Sequence, residues 1–439
     1  MNFDKFFALA KEKGITEAQI QVSKSTATSV KLFKHEIDSY SVNDSQAIIA
    51  CGIYNGKFGS GTTQKFGKDS FEFLVNQIIM TATYSEKMND IGLFKGSEKY
   101  TKKNVFSKEL EETPMAKKLE VLRSIEDGIY AFDGRFTEAE VSYSERSSSS
   151  EFYNSYDLKL KQKSNYFYVY AGAVARVGEE TKTFGDVFLD NTFSKFNKDA
   201  FVKGICEKTL SKFGGAPCVS GKYPTVLSRD IAADLVACFL SSAVADEVQR
   251  HSSFLEGKLE QKIASSKVTI EEKPLTKNVF FSYFDDEGVA TQNKVIVKNG
   301  VLKQFFYNRE TAKKDGVETT GNASWEGSKI GTDFGNIFVK PGKQSFDEMI
   351  SSIKEGVYIT EIAGLGTGMN SNSGDFSCQA EGYMIRDGKL AEPLNLITLS
   401  GNLLKMFSDV KAFDNNVAMT SDAISIADVY IKKMSIGGK

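Results

Sequence analysis

Side chains suited to metal or acid–base chemistry are scarce in this chain, and the scarcity narrows what it can do. Its 439 residues include two histidines, His35 and His251, far apart in sequence. A three-histidine zinc site is excluded, and a Ser-His-Asp or Cys-His mechanism must use one of these two. His251 closes the segment Asp246-Glu247-Val248-Gln249-Arg250-His251. The segment has the outline of a His-Glu-x-x-x-His metallopeptidase motif with aspartate at the first position. In such a motif two side chains hold zinc and the glutamate activates a bound water. Asp246 and His251 are five positions apart, roughly 140° around an ideal helix, so they meet at one metal only across a bulge or at a helix end. No third ligand is identifiable. Glu247 and His251 stand as candidate catalytic residues with no metal-ligand set assigned, and a charged, solvated helix end is the plainer reading.

Three further segments invite a chemical reading. Gly364-Leu365-Gly366-Thr367-Gly368 follows a strand-like Val357-Tyr358-Ile359-Thr360. A phosphate loop needs its glycines to open a helix, but Met369-Asn370-Ser371-Asn372-Ser373-Gly374-Asp375 continues as turn chemistry. A loop that lets another backbone approach closely fits better. Asp285-Asp286-Glu287-Gly288 could recruit a hard cation, yet alternate carboxylates on a strand point to opposite faces, so a polar turn is expected. The five cysteines (Cys51, Cys206, Cys218, Cys238, Cys378) form no Cys-x-x-Cys. They read as reduced thiols of a cytoplasmic protein, and Cys378 as a small buried hydrophobe. His35 is expected on a strand surface and Trp325, the single tryptophan, in packing.

Composition sets the frame for these segments. Lys plus Arg number 55 and Asp plus Glu 57, a net charge of −2, which argues against a dedicated nucleic-acid binder. The most apolar stretch, residues 231–245, is short and contains Asp234, so a core helix and not a membrane span is expected. The N-terminal residues lack the pattern of a secretory signal. The length implies more than one domain.

The elements expected to position these residues follow from periodicity. Residues 3–13 read as a helix stopped by Gly14, then come strands with an Asn55-Gly56 hairpin turn. Residues 69–85 read as a helix with Asp69 and Glu72 as a capping box. Residues 92–113 read as a linker. Thr113 and Pro114 should open a second helix, as N-cap and first turn. Strands run from about 139 to 189 with Ser147 to Ser150 as an interruption, and a helix spans 197–213. Residues 217–224 read as a loop, followed by a strand at 225–227 and a helix over 231–248. Asn299-Gly300 and Asp387-Gly388 mark further hairpins, and no helix is expected from 280 to 339. The class is α+β: helix–strands–helix units at 1–91 and 114–216, and a β-rich C-terminal domain at 217–439.

The ordered set Phe284-Asp285-Asp286-Glu287-Gly288-Val289-Ala290, Asn299-Gly300-Val301-Leu302, Tyr307, Ala312, Thr320-Gly321-Asn322-Ala323, Ser373-Gly374-Asp375-Phe376-Ser377 and Glu381-Gly382-Tyr383, with Ile385 and Asp387-Gly388, resembles the TldD/PmbA family, also called modulators of DNA gyrase. Ala50-Cys51-Gly52-Ile53-Tyr54-Asn55-Gly56-Lys57-Phe58-Gly59 is similar too, so the resemblance covers nearly the whole chain. The TldD branch looks like a zinc peptidase with His-Glu-x-x-x-His and a late Cys-Gly-Lys-Gly. This chain departs at both places, reading Phe413-Asp414-Asn415-Asn416-Val417-Ala418-Met419 at the second. Gln249-Arg250-His251-Ser252-Ser253-Phe254-Leu255 is similar instead to a stretch of the PmbA (TldE) branch. The resemblance implies a subunit without cofactor of its own, assembled in the cytoplasm with a TldD-type subunit that carries the zinc, or with a second copy of itself. The complex would act on unfolded peptides. A free-standing peptidase using Asp246, Glu247 and His251, and a non-enzymatic peptide-binding or gyrase-modulating homodimer, are the alternatives. On this picture the peptide cleft is lined by Gly364, Gly366, Gly368, Gly374, Asp375 and Phe376, and the β-rich half pairs an extended peptide edge to edge. Neither nucleic acid nor membrane is an expected partner.

Overall fold

The computed structural model describes residues 3–67, 69–86 and 88–439. Its first half comprises α1 (Asp4–Glu12), β1 (Ile15–Phe33), β2 (Glu36–Tyr54), β3 (Lys57–Thr63), α2 (Ser70–Tyr84), α3 (Lys108–Glu112), α4 (Met115–Phe132), β4 (Phe136–Asn154), β5 (Lys159–Val177), β6 (Glu180–Asp190) and α5 (Lys198–Ser211). The period-2 pattern explains the strands: along β5, Phe167, Val169, Ala171, Ala173 and Ala175 all point inward. Gly14 has a φ of 86°, which suits the stop after α1, and Asn55 and Gly56 have φ of 49° and 72°, as a type I′ turn requires.

The strands of both halves of this region merge. The six lie in one antiparallel sheet in the order β3-β2-β1-β4-β5-β6, with β1 and β4 paired continuously from Gln19↔Asn154 to Phe33↔Glu140. Segments 1–91 and 114–216 each keep a helix–strands–helix order, but they share this sheet. Four of its strands are 19 residues long, roughly 60 Å each. One end packs beneath α1 and α2 through Phe6, Ile20, Leu74 and Ile78, and the other beneath α4 and α5 through Val30, Val141, Ile125 and Ile205. Ser147 to Ser150 lie between the two cores inside an unbroken β4, so they are not an interruption. There the sheet is polar, with Ser25 bonded to Ser45 and Arg146 donating to Ser25.

Several local expectations are corrected here. Asp69 occupies the N-cap of α2 without a side-chain cap bond, because its backbone is already helical. Pro114, not Thr113, is the N-cap of α4; the Thr113 hydroxyl bonds back to the Glu109 carbonyl. Residues 92–113 are not a free linker: Leu93, Val105 and Leu110 are buried, and α3 begins at a Ser107 cap.

The second half comprises β7 (Gly221–Leu227), α6 (Arg229–Ser241), α7 (Ala245–Gln249), β8 (Ile270–Glu272), β9 (Lys294–Lys298), β10 (Val301–Leu302), α8 (Arg309–Asp315), β11 (Ala323–Glu326), β12 (Lys329–Thr332), β13 (Ile337–Val339), α9 (Phe346–Ile350), β14 (Glu355–Ala363), α10 (Leu365–Gly368), β15 (Asp375–Arg386), β16 (Lys389–Asn402), α11 (Leu403–Ser408), β17 (Val410–Phe413), β18 (Ala418–Met419), β19 (Ile424–Ile426) and β20 (Val429–Gly437). One sheet runs β16-β15-β14-β7-β20-β17, and an added β16–β20 pairing closes it into a ring. Register slips between Ile359 and Glu361, Ala380 and Gly382, and Ile431 and Met434 give so short a sheet its curvature. A second sheet, β10-β9-β8-β13-β19-β18, faces it across a core containing Phe239, Phe306, Leu227 and Ile359, while β11 and β12 form a separate hairpin.

The expected helix over 231–248 is two helices, because the chain turns at residues 242–244 so that Ala245 N–H can reach the Phe306 carbonyl. Pro224 is inside β7 and not in a loop, opposite the β20 slip, where a missing N–H is tolerated. A helix does occur between 280 and 339: α8 starts at an Asn308–Thr311 capping box and stops at Gly316, φ 68°. The Asn299-Gly300 and Asp387-Gly388 turns form with positive φ at all four residues.

Candidate functional site

The segment 246–251 carries the outline of a metal site. Asp246 and Glu247 fall in the first turn of α7, a helix of five residues, and the helix has ended before His251, whose φ is 60°. The His251 ring faces outward, 78% exposed, with Nδ1 2.7 Å from Glu256 Oε1. Glu247 turns to an ion pair with Arg250. Asp246 keeps one buried carboxylate oxygen without a hydrogen-bond partner among the described residues. The inner side of α7 is committed to packing, for Gln249 Nε2 donates to the Thr311 carbonyl and to Asp315. Asp246, Glu247 and His251 thus do not converge, and this donor set does not fit a zinc ion. No group of three or more His, Cys, Asp or Glu side chains among the described residues could hold one.

The glycine-rich loop lies in the same C-terminal half. Gly364, at φ 79°, opens the single helical turn α10, where the sequence suggested a loop. Gly368 is needed for close approach: a Cβ there would lie 2.3 Å from the Ser377 carbonyl oxygen. Gly366 faces open space. At Gly374 the neighbour is the Phe254 ring, 3.2 Å from where a Cβ would sit, so Phe254 packs on the turn that ends this loop. Asp375 is exposed. Hydrogen bonds from Ser373 Oγ and Asn402 Nδ2 lower its pKa. Phe376 points into the core, leaving only its backbone toward the loop. Phe254, which also packs on Phe239 with centroids 5.9 Å apart, was not singled out from sequence; its signal was the Ser-Ser-Phe-Leu stretch.

The acidic turn 285–287 is a joint between the two halves of the chain. Asp285 is buried, and its carboxylate accepts from the backbone N–H groups of Glu287 (3.0 Å), Val289 (2.9 Å) and Ala323 (3.0 Å). Burial and the neighbouring Glu287 carboxylate nevertheless hold its pKa above the ordinary range. Asp286 accepts from Gln21 Nε2 on β1 (3.0 Å) and from the Trp325 N–H on β11 (2.9 Å), and Trp325 Nε1 reaches Gln21 Oε1 (3.3 Å). Glu287 accepts from the Arg309 N–H (2.9 Å), while the Arg309 guanidinium binds the carbonyls of Ile91 and Gly92. Close by, Lys294 is buried against Glu272 and Asn322, and Asn322 bonds to Glu272 (2.8 Å). The Thr320-Gly321-Asn322-Ala323 motif therefore anchors a buried polar network.

The remaining candidates are structural. His35 lies in the tight β1–β2 turn and not on a strand face; its N–H is held by the buried Glu126, and its ring is 3.1 Å from Asp127. All five cysteines are free and Cys378 is buried. A cavity of about 1160 Å³ is lined by α1, the start of β1 and the 153–159 turn, and contains none of the residues above. No helix among the described residues is long and apolar enough to cross a membrane.

A long antiparallel sheet carrying two helical layers, joined to a closed C-terminal sheet through an acidic turn, defines a multi-part α+β protein with a glycine loop and a degenerate Asp-Glu-x-x-x-His turn in its second half. Residues 108–213 match the PmbA/TldA metallopeptidase central domain and residues 220–438 the C-terminal domain; the chain belongs to the PmbA/TldD family. A metalloprotease from Methanothermobacter thermautotrophicus is 32% identical over 318 residues, 68% of this chain and 69% of that protein. A candidate modulator of DNA gyrase from Thermotoga maritima superposes with a TM-score of 0.91 at 28% identity, over 99% of both chains. TldE from Thermococcus kodakarensis has the same fold, with a TM-score of 0.91 at 20% identity, over 99% of this chain and all of that one.

Proposed function

We propose that this chain is the PmbA/TldE-type subunit of a two-subunit cytoplasmic peptidase, in which a TldD-type partner holds the zinc and this chain helps to hold unfolded peptide. The observation that carries the reading is the 246–251 turn: His251 points away from Asp246 and pairs with Glu256, so a hydrolytic ion has no chelating set here. The likeness in fold to the Thermococcus TldE supports it.

Two features suit an extended peptide. The 364–375 loop presents exposed backbone at Gly364, Gly366 and Asp375, while Gly374 is buried against the Phe254 ring with its N–H and carbonyl bonded to Asn370 and Leu403. A free strand edge lies in the N-terminal sheet; in the β-rich half the main sheet is closed by the β16–β20 pairing, and the second sheet ends at the short strands β10 and β18. Residues 36–46 of β2 pair with β1 on one side, while β3 covers only residues 48–54 on the other. A strand added there would gain main-chain hydrogen bonds with little sequence preference.

The test is co-purification with a TldD-type subunit, metal analysis of the complex, and cleavage of an unfolded peptide. Cleavage only when both chains are present supports the reading. Cleavage by this chain alone, with one equivalent of zinc and loss of activity in Glu247→Gln, overturns it.

A further inference from the structure

The register slip in β20 builds a feature that the peptide-holding role above does not require. Between Ile431↔Thr225 and Met434↔Tyr223, β20 advances three residues while β7 advances two, so one extra residue is bulged out at Lys432 and Lys433. In a regular pleat two consecutive side chains would leave the sheet on opposite faces. Here both line one cavity of about 290 Å³, together with Lys222 and Lys405. The cavity opens where β16 parts from β20 beyond the Ser400↔Ser435 pair and α11 fills the gap. Its single carboxylate is Asp409, which is paired with Lys405. Among the described residues Lys222, Lys432 and Lys433 have no ion-pair partner. In a chain of net charge −2 this is a concentration of positive charge without internal compensation.

Asn402 connects this cavity to the candidate peptide surface. It lines the cavity, and its amide also bonds the Ser373 carbonyl and Asp375, each at 2.9 Å. A peptide lying along the 364–375 loop therefore reaches the lysines within a residue or two of Asp375. The cavity volume accommodates about one amino-acid side chain, and Ser400, whose hydroxyl is shared with Ser377, and Ser435 also line it. We infer that the Lys222, Lys405, Lys432 and Lys433 cavity receives an acidic side chain of the bound peptide, so that this subunit selects unfolded segments rich in Asp and Glu. The inference rests on the peptide-holding reading, but it is tested separately.

The experiment measures binding of two fluorescein-labelled extended peptides to the isolated full chain by anisotropy, one carrying an Asp-Glu run and one with Asn-Gln in its place, both with amidated C-termini. Tighter binding of the acidic peptide is expected, with an advantage that shrinks as salt rises. Lys432→Gln/Lys433→Gln should weaken the acidic peptide about three- to tenfold and leave the neutral one unchanged, as for two exposed charge contacts. Equal affinity for the two peptides, with no effect of the double variant, overturns the acidic selectivity while leaving peptide holding intact. Binding of neither peptide overturns both. Recovery of acidic selectivity only with a free C-terminal carboxylate also overturns the side-chain assignment. The circular dichroism melt of the variant should match the parent, since the lysines are exposed.

Discussion

Removing the Asp286 carboxylate should loosen the two halves of the chain from each other, and the one tryptophan sits where this can be seen. In Asp286→Ala, Gln21 Nε2 and the Trp325 N–H lose their acceptor. Gln21 is buried, and each unsatisfied buried donor costs about 1–3 kcal/mol. The two together predict a loss of about 2–4 kcal/mol, reduced from the plain sum because Trp325 Nε1 keeps its bond to Gln21 Oε1. Asp286→Asn retains one acceptor and should cost about half as much. The assay is denaturant unfolding followed in parallel by Trp325 emission and far-ultraviolet circular dichroism, since a chain of this size need not unfold in one step. In Asp286→Ala the emission transition should move to lower denaturant and separate from the dichroism transition, with red-shifted emission before unfolding. Coincident, unshifted transitions would refute the assignment of Asp286 as a joint. Stabilisation by added Mg²⁺ or Ca²⁺ that Asp286→Ala abolishes would refute it as well, because the carboxylate would then be a cation ligand.

Three other outcomes follow from single contacts. Burial, then the neighbouring Asp422 and Asp230, push the Asp234 pKa up to about 6. The folded state therefore holds this proton more tightly than the unfolded one, and its contribution to stability is lost as pH rises from about 4 through about 6. Asp234→Asn should raise stability by about 1 kcal/mol at pH 7.5, after allowance for solvent screening, and by nothing at pH 4; an equal effect at both pH values would contradict the assignment. Gly368→Ala forces a Cβ against the Ser377 carbonyl and should cost about 1–3 kcal/mol, whereas Gly366→Ala, facing open space, should be neutral within about 0.5 kcal/mol; thermal melts of the two variants compare them directly. Lys212 Nζ lies 2.8 Å from Glu361 and 2.9 Å from Glu381, tying the end of α5 to the closed sheet, so Lys212→Met should lower the melting temperature through a loss of about 1–3 kcal/mol; an unchanged melt would show the contact to be dispensable.

What could be read ahead of the structure was local. The Asn-Gly and Asp-Gly turns were legible because few residues other than glycine, asparagine and aspartate accept their left-handed backbone. The helix over α2 was legible because its apolar spacing repeats within one element. α8 was missed although its Asn308 cap and Gly316 stop were in plain view, since seven residues carry too little periodicity to stand out. The shared sheet left no local trace: β1 and β4 pair across more than a hundred residues, and the serines between the two cores look like a break because neither helical layer covers them. The candidate site shows the same division. The absence of a histidine at position 246 could be read directly, but the outward turn of His251, the role of Phe254 and the grouping of four lysines drawn from β7, α11 and β20 depend on long-range pairing and on one bulge.

The continuous β1–β4 ladder has a consequence for chain integrity. The exposed residues 101–103 lie between the two contributions to that sheet, yet the strands on either side of them are zipped together over fifteen consecutive residue pairs. A protease that severed the backbone after Lys102 would leave two polypeptides still interleaved in one sheet, and they would migrate as a single particle until denatured. By the same reasoning, an N-terminal fragment ending there and a C-terminal fragment beginning there, expressed as separate genes, should find each other and rebuild the whole.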